Sequence, residues 1–387
     1  MKALSAFLIA LVVGVLPRVG AADAVPDFHG AFPAYVRTIG VIMPASVWDR
    51  RKFDVGTNAL WSAGYRVKLA PRLRFDARAS AQDRAADLEE MWLDPEVDLV
   101  ICARGGSLVE QILPYVHWDR LRTRNNQVVL GFSDITILHS AMLKEGAGHP
   151  VSGPTVSQLV RAERDTFDWL ARALAGRPQP PAQLHALKAG AFRGLPVGGH
   201  AQRFMIAIRG GNVPSANGRV VFLESEESIN LVSLQQTFNY LLESGYMNGA
   251  AGVIFGDITP GLVGTETMDA ARQEVERMKS AFARQAPCPV YDGYAYGHGL
   301  VSHAVDYHRE VSVSVDGTMT WAYNAPVASD LGASQCDSAP ILFNSCHGGT
   351  GEAFFETFLS RYRMLIDSAC LARFDSREAQ GMVTIIR

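Results

Sequence analysis

Short aliphatic runs, each followed by residues at helical spacing, set the narrowest limit on how this chain can fold. Thr38 to Met43 (TIGVIM), Asp98 to Cys102 (DLVIC) and Val128 to Leu130, within QVVLGFSDIT, are brief and almost wholly apolar. Such runs read as strands buried on both faces, which a parallel sheet covered by helices provides. Arg66 to Leu69 reads as a further strand. Between the strands, Ser46 can cap a helix reaching toward Trp61, with Gly64 as its stop. Ser80 and Asp83 form a weak capping box for a helix ending near Trp92. A helical stretch is predicted from Ser107 to about Trp118, another from Ile135 to Leu143, and a third from Asp165 to Leu174. Strand and helix alternate, so residues 34–176 are predicted to form an α/β domain with a parallel sheet and right-handed crossovers. In such sheets the loops at the carboxyl ends of the strands build the site.

Gly176 to Pro181 (GRPQPP) is too proline-rich to continue a helix and opens a stiff linker over 177–195. Residues 196–325 then read as a smaller, mixed, β-rich and barrel-like domain. It opens near Gly198-Gly199 and carries strands at Arg219 to Leu223 and Gly252 to Phe255. Helices follow from about Asn230 to Leu242 and Met268 to Ala283, with further strands near Glu310 to Val315 and Met319 to Ala322. Residues 326–387 form a tail of no assigned role, with one helix-like run from Glu352 to Ile366.

Composition excludes more than it selects. A formal charge of −3 leaves no electrostatic footprint for nucleic acid or an anionic membrane surface. Residues 1–24 read as a secretory leader: Lys2, an apolar run from Ala3 to Leu16, then the small-x-small site Ala22-Asp23-Ala24. That run is shorter than the roughly 20 residues a membrane span needs, so no span is expected in the mature chain. The expected location is periplasmic or secreted. Of five cysteines none forms a Cys-x-x-Cys pair, which argues against a zinc ribbon or a thioredoxin-like site. Cys102 is expected as a buried thiol, and Cys336 with Cys346 as the favoured bridge among the three tail cysteines.

Three residues suit nucleophilic catalysis. Gly131 ends a strand and permits a tight turn, placing Ser133 where a serine hydroxyl stands above a sheet beside the free N–H groups of a new helix. This is the logic of the nucleophile elbow, with Ile135 where a glycine is usual. A serine needs a base and a group to orient that base. His298, in the glycine-flanked Tyr296-Gly297-His298-Gly299, can reach a cleft at little steric cost, although a surface histidine fits the same pattern. Glu224 ends the strand RVVFLE, where its carboxylate would emerge toward that cleft or, with Glu226 and Glu227, sit at a helix start. His139, on the helix after Ser133, reads as a packing or surface residue.

In this order, Gly131-Phe132-Ser133-Asp134, Phe222-Leu223-Glu224 and Tyr296-Gly297-His298 resemble the serine LD-carboxypeptidase family, which includes muramoyltetrapeptide carboxypeptidases and microcin C self-immunity peptidases. Ile42-Met43-Pro44-Ala45-Ser46, Ala103-Arg104-Gly105-Gly106, Ser152-Gly153-Pro154 and Gly198-Gly199 support the match, which spans roughly Thr38 to Ala322. The resemblance implies Ser133 as nucleophile, His298 as base, Glu224 as its orienting acid, and an oxyanion hole from backbone amides at Gly106 and Asp134. It also implies a homodimer without metal or cofactor, acting on peptidoglycan stem peptides or muropeptides by removing a C-terminal D-amino acid. Three positions depart from the family pattern: Ser107-Leu108 in place of Tyr-Gly, His200-Ala201 in place of Asn-Leu, and Ser225 where Asp is common. The first two bear on substrate preference and oxyanion geometry. Two other functions fit: an immunity-type amidase acting on peptidyl or aminoacyl nucleotide analogues, and a non-catalytic periplasmic binding protein.

Overall fold

A computed structural model of the chain describes residues 32–45, 50–73, 79–159, 161–263 and 267–322. The leader, Ser46, and the tail with Cys336, Cys346 and Cys370 lie outside them. Strands β1 (Thr38–Ile42), β2 (Arg66–Leu69), β3 (Leu99–Cys102), β4 (Val128–Gly131) and β5 (His149–Ser152) pair in parallel. Their order across the sheet is β5-β4-β3-β1-β2. Helices α1 (Arg50–Ser62), α2 (Ala81–Leu93), α3 (Trp118–Leu121), α4 (Thr136–Glu145), α5 (Val156–Leu159) and α6 (Arg164–Leu174) occur in this part of the chain. Every residue of β1 and β3 is buried, as expected of strands covered on both faces. The capping at α2 is as read: the Ser80 hydroxyl accepts the Asp83 N–H at 3.0 Å.

The segment from Ser107 to Trp118 corrects the sequence reading. It forms no continuous helix but two isolated 3₁₀ turns, Val109–Gln111 and Leu113–Tyr115, before the single turn of α3. Leu108 sits in the left-handed region at φ 75°, and Pro114 has no N–H to continue a ladder.

The remainder carries β6 (Ala182–Gln183), β7 (His185–Lys188), β8 (Phe192–Gly194), β9 (Pro196–His200), β10 (Val220–Ser225), β11 (Gly252–Ile258), β12 (Val290–Asp292), β13 (Val305–Asp306), β14 (Val311–Val313) and β15 (Thr318–Trp321). Its helices are α7 (Ala201–Arg209), α8 (Leu231–Glu243) and α9 (Met268–Gln285). A second sheet has the order β7-β12-β11-β10-β9, with β9 to β12 parallel and β7 antiparallel. A four-stranded antiparallel sheet, β6-β15-β14-β8, lies beyond it. The two-residue β13 pairs antiparallel with β5, so a late piece of chain completes the first sheet.

Separate apolar cores support this layout. One surrounds the first sheet, from Ile39 and Val41 to Leu130 and Val151. Another packs Phe238, Phe255 and Phe282 against the second sheet. A third gathers Phe222, Tyr294, Tyr296 and Trp321. At about 25 cal/mol per Å² of apolar area, burial of these aromatic groups fixes the strand ends on which the polar residues below stand.

Candidate active site

The turn after β4 is a strained one. Phe132 is fully extended, and Ser133 then takes φ 65°, one of two left-handed non-glycine residues among those described. A short 3₁₀ turn, Ser133–Ile135, leads into α4. Left-handed backbone costs a residue with a Cβ roughly 1–2 kcal/mol, which a surrounding structure must offset. The result is a serine on a sharp strand-to-helix corner, at the carboxyl end of a central strand.

The loop after β3 lies directly against that corner. A Cβ on Gly105 would stand 2.7 Å from the Ser133 Cβ and 3.0 Å from its Oγ, so only glycine permits this approach. Several bonds pin the loop. The Val109 N–H donates to Asp134 Oδ2 at 3.1 Å, and Arg203 Nη2 donates to the Gly106 carbonyl at 3.0 Å. Arg203 Nε lies 3.2 Å from Asp134 Oδ1 as an ion contact without the alignment of a hydrogen bond. Asp134 is fully buried. Burial raises its pKa, while Arg203 and the Val109 N–H pull the other way.

Glu224 and His298, 74 residues apart, meet across the second sheet. His298 Nδ1 lies 2.7 Å from Glu224 Oε2. The Glu224 side chain is 1% exposed and that of His298 22%, so the imidazole is the member that reaches solvent. Gly297 makes the meeting possible: at φ 126°, its Cβ would fall 2.8 Å from Glu224 Oε2. Burial by itself would depress the His298 pKa. The Glu224 charge and hydrogen bond, with Glu226 behind them, outweigh it and hold the imidazole above its ordinary value. The same ring packs on Phe132, the residue before Ser133, with centroids 4.6 Å apart. The acid–base pair therefore stands beside the serine corner. Since Nδ1 is engaged by Glu224, Nε2 is the nitrogen left for a proton from outside the pair.

Two links tie the strand ends together. The His200 N–H donates to Thr136 Oγ1 at 3.0 Å, joining the end of β9 to the start of α4. Ser152 Oγ donates to Tyr296 Oη at 3.3 Å, Tyr296 and Tyr307 share a hydrogen bond of 3.4 Å, and Tyr307 donates to the Gly198 carbonyl at 2.9 Å. That buried chain runs from β5 through Tyr296, two residues before His298, to Gly198 on β9.

Of the residues read from the sequence, the structure pairs Glu224 with His298, sets that pair against Phe132 beside Ser133, and ties the loop carrying Gly106 to Asp134. His139 is a packing residue: it is buried, bonds the Val129 carbonyl at 3.1 Å, and burial depresses its pKa to about 3. Three residues escaped the sequence reading. His200, singled out only as a departure, is buried edge-on to His298 at 5.7 Å, with burial lowering its pKa. Arg203 and Thr136 gave no signal, because their partners lie 97 and 64 residues away. Among the described residues no cluster of three or more metal-ligating side chains occurs, and no helix is long and apolar enough to cross a membrane. Cys102 and Cys288 are buried free thiols.

Comparison with known proteins gives the arrangement a context. Residues 39–151 match the LD-carboxypeptidase N-terminal domain and residues 193–313 the LD-carboxypeptidase C-terminal domain. The murein tetrapeptide carboxypeptidase of Pseudomonas aeruginosa is 28% identical over 254 residues, covering 59% of this chain and 76% of that protein. A crystal structure of muramoyltetrapeptide carboxypeptidase from Oxalobacter formigenes superposes with a TM-score of 0.62 at 19% identity, covering 74% of this chain and all of that one. An MccF-like protein from Streptococcus pneumoniae, solved in complex with AMP, gives a TM-score of 0.62 at 17% identity, covering 75% of this chain and all of that one.

Proposed function

The chain belongs to the LD-carboxypeptidase family and is a serine-type carboxypeptidase, and from that premise we propose that it cleaves the L,D-amide of murein tetrapeptide stems and releases the C-terminal D-amino acid. The observation that carries this reading is the 2.7 Å Glu224–His298 pair packed on Phe132, next to a serine held at φ 65°.

In this reading Ser133 Oγ attacks the carbonyl carbon of the L-residue while His298 Nε2 takes its proton. A serine hydroxyl is a poor nucleophile until a base does so. Glu224 holds the Nδ1–H, fixes the tautomer and stabilises the imidazolium as it forms. The carbonyl oxygen becomes an oxyanion, received by the N–H groups of Gly106 and Asp134. His298 then returns the proton to the departing amine, the D-amino acid leaves, and an acyl-Ser133 ester remains. Water, deprotonated by the same imidazole, hydrolyses that ester and restores the serine. Every proton passes through one ring nitrogen.

Chromatography of tripeptide, tetrapeptide and pentapeptide stems incubated with the protein tests the proposal. Tetrapeptide should lose D-alanine, and Ser133→Ala should abolish the loss. Turnover of none of the stems would overturn the substrate assignment.

The leader pattern supports an exported enzyme acting outside the cytoplasm, and the family resemblance supports a homodimer. N-terminal sequencing of natively expressed protein should begin near Asp23 or Val25. An intact Met1 form in the cytosol would contradict export. Likeness to the AMP-bound MccF-like protein supports a second reading, an amidase acting on peptidyl or aminoacyl nucleotide analogues. Faster hydrolysis of such an analogue than of tetrapeptide would favour it.

A further inference from the structure

We propose that Arg203 is a positioning residue for the oxyanion hole, spacing its two backbone donors with one guanidinium; this rests on the reading of Ser133 as nucleophile with Gly106 and Asp134 as donors. The loop that carries Gly106 is not self-supporting. Leu108 takes φ 75°, costly for a residue with a Cβ and offset by its surroundings, while Gly106 takes φ 134°, which glycine reaches without strain. Contacts from neighbouring elements bear on this loop. Val109 N–H donates to Asp134 Oδ2 at 3.1 Å, Arg84 Nη1 to the Leu108 carbonyl at 3.1 Å, and Arg203 Nη2 to the Gly106 carbonyl at 3.0 Å.

Of these, the last reaches both donor residues. Through Nε, 3.2 Å from Asp134 Oδ1, the same Arg203 guanidinium makes an ion contact, without hydrogen-bond alignment, to the residue whose own N–H forms the other half of the hole. Arg84 instead holds the carbonyls of Leu108 and Pro44, farther along the loop and on β1's exit. A guanidinium is planar and rigid, so contacts to both residues from one group restrict how far they can move apart. Gly106 lacks the Cβ that would limit rotation at its backbone, and a tether on its carbonyl replaces that limit. The Asp134 carboxylate is fully buried, so that end of the brace is shielded from competing water, while the Arg203 side chain is 22% exposed. An oxyanion hole works only when its donors are fixed before charge develops, which is what a brace of this kind supplies.

The test compares Arg203→Met, Arg203→Lys and the double variant Arg203→Met/Asp134→Asn with the wild type on tetrapeptide stems. The double variant keeps the Asp134 backbone N–H and leaves no unpaired buried charge, so it separates positioning from folding. Arg203→Met should lower kcat about 10- to 100-fold, as loosening rather than deleting a donor implies, with KM within about twofold. Inactivation by a serine-directed phosphonate, whose P=O occupies the hole, should slow in parallel. The double variant should regain the wild-type melting temperature without regaining kcat, and Arg203→Lys should fall between. A double variant with wild-type kcat, or kcat that simply follows melting temperature across the set, overturns the brace. Ser133→Ala, run beside them, keeps the two levels apart: if it is inactive while the double variant is fully active, the brace alone fails. Residual turnover by Ser133→Ala near the wild-type rate would remove the site reading itself.

Discussion

The nucleophile side and the acid–base side of this site are built by different physics. On the first sheet, Ser133 is placed by backbone: a left-handed φ, an adjoining loop admitted only by Gly105, and α4 starting just after the corner. On the second, Glu224 and His298 are placed by a charged side-chain contact between a strand end and a loop, the strand-end member almost fully buried. The backbone device is broken by an added atom, whereas the side-chain device, given the clearance Gly297 leaves beside Glu224, is broken by loss of charge. A substitution should therefore reveal its side by its signature: a geometric loss independent of pH on the first, a displaced pH profile on the second.

The largest effect is expected on the charged side. His298→Ala should lower kcat roughly 10⁵- to 10⁶-fold, since nucleophile and base act as a unit. Steady-state assay on tetrapeptide checks this. Glu224→Gln should cost roughly 10⁴-fold, with the geometry largely kept. Its signature is the pH profile. Catalysis needs neutral His298, so activity rises with pH through that group's pKa. Glu224 holds the pKa above its ordinary value, so the acid limb of kcat/KM should begin above about pH 6.5 in the wild type. Without the carboxylate charge, burial prevails and the limb should move to lower pH. A limb that stays in place would separate Glu224 from His298.

Gly105→Ala probes the backbone side. Its Cβ collides with Ser133, and a displacement near 1 Å costs about 10²-fold in rate. The pH limb should not move; a shifted limb would blur the distinction between the two sides. The smallest effect belongs to the tyrosine chain between them. Tyr307→Phe strips the donor from the Gly198 carbonyl and should lower stability by about 1–2 kcal/mol, read in urea unfolding. Turnover should change by no more than about threefold, because that hydroxyl touches neither reacting group.

These two physics also decide what could be read in the chain. The parallel sheet was legible because buried strands such as Leu99–Cys102 are uniformly apolar and glycine marks the turns. Ser133 was legible for the same reason, as a local pattern. Glu224 and His298 were visible as strand-end and loop residues, but their pairing is a long-range fact that only resemblance to a family supplied. Arg203 carried no local signal at all. A basic residue in the first turn of an amphipathic helix looks like any solvated one until its partners, far upstream at Gly106 and Asp134, are in place. The strand β13 was illegible because two residues have no periodicity, and the turns after Ser107 because a left-handed Leu108 cannot be inferred from its type.

A double-mutant cycle on Ser133→Ala and His298→Ala, measured as kcat/KM for D-alanine release from a tetrapeptide stem, tests most directly whether the two sides form one catalytic unit. Each single variant should be nearly inactive and the double scarcely worse, because removing either member already disables the other. Losses that multiply, or a Ser133→Ala enzyme that still works at close to the wild-type rate, would contradict the account.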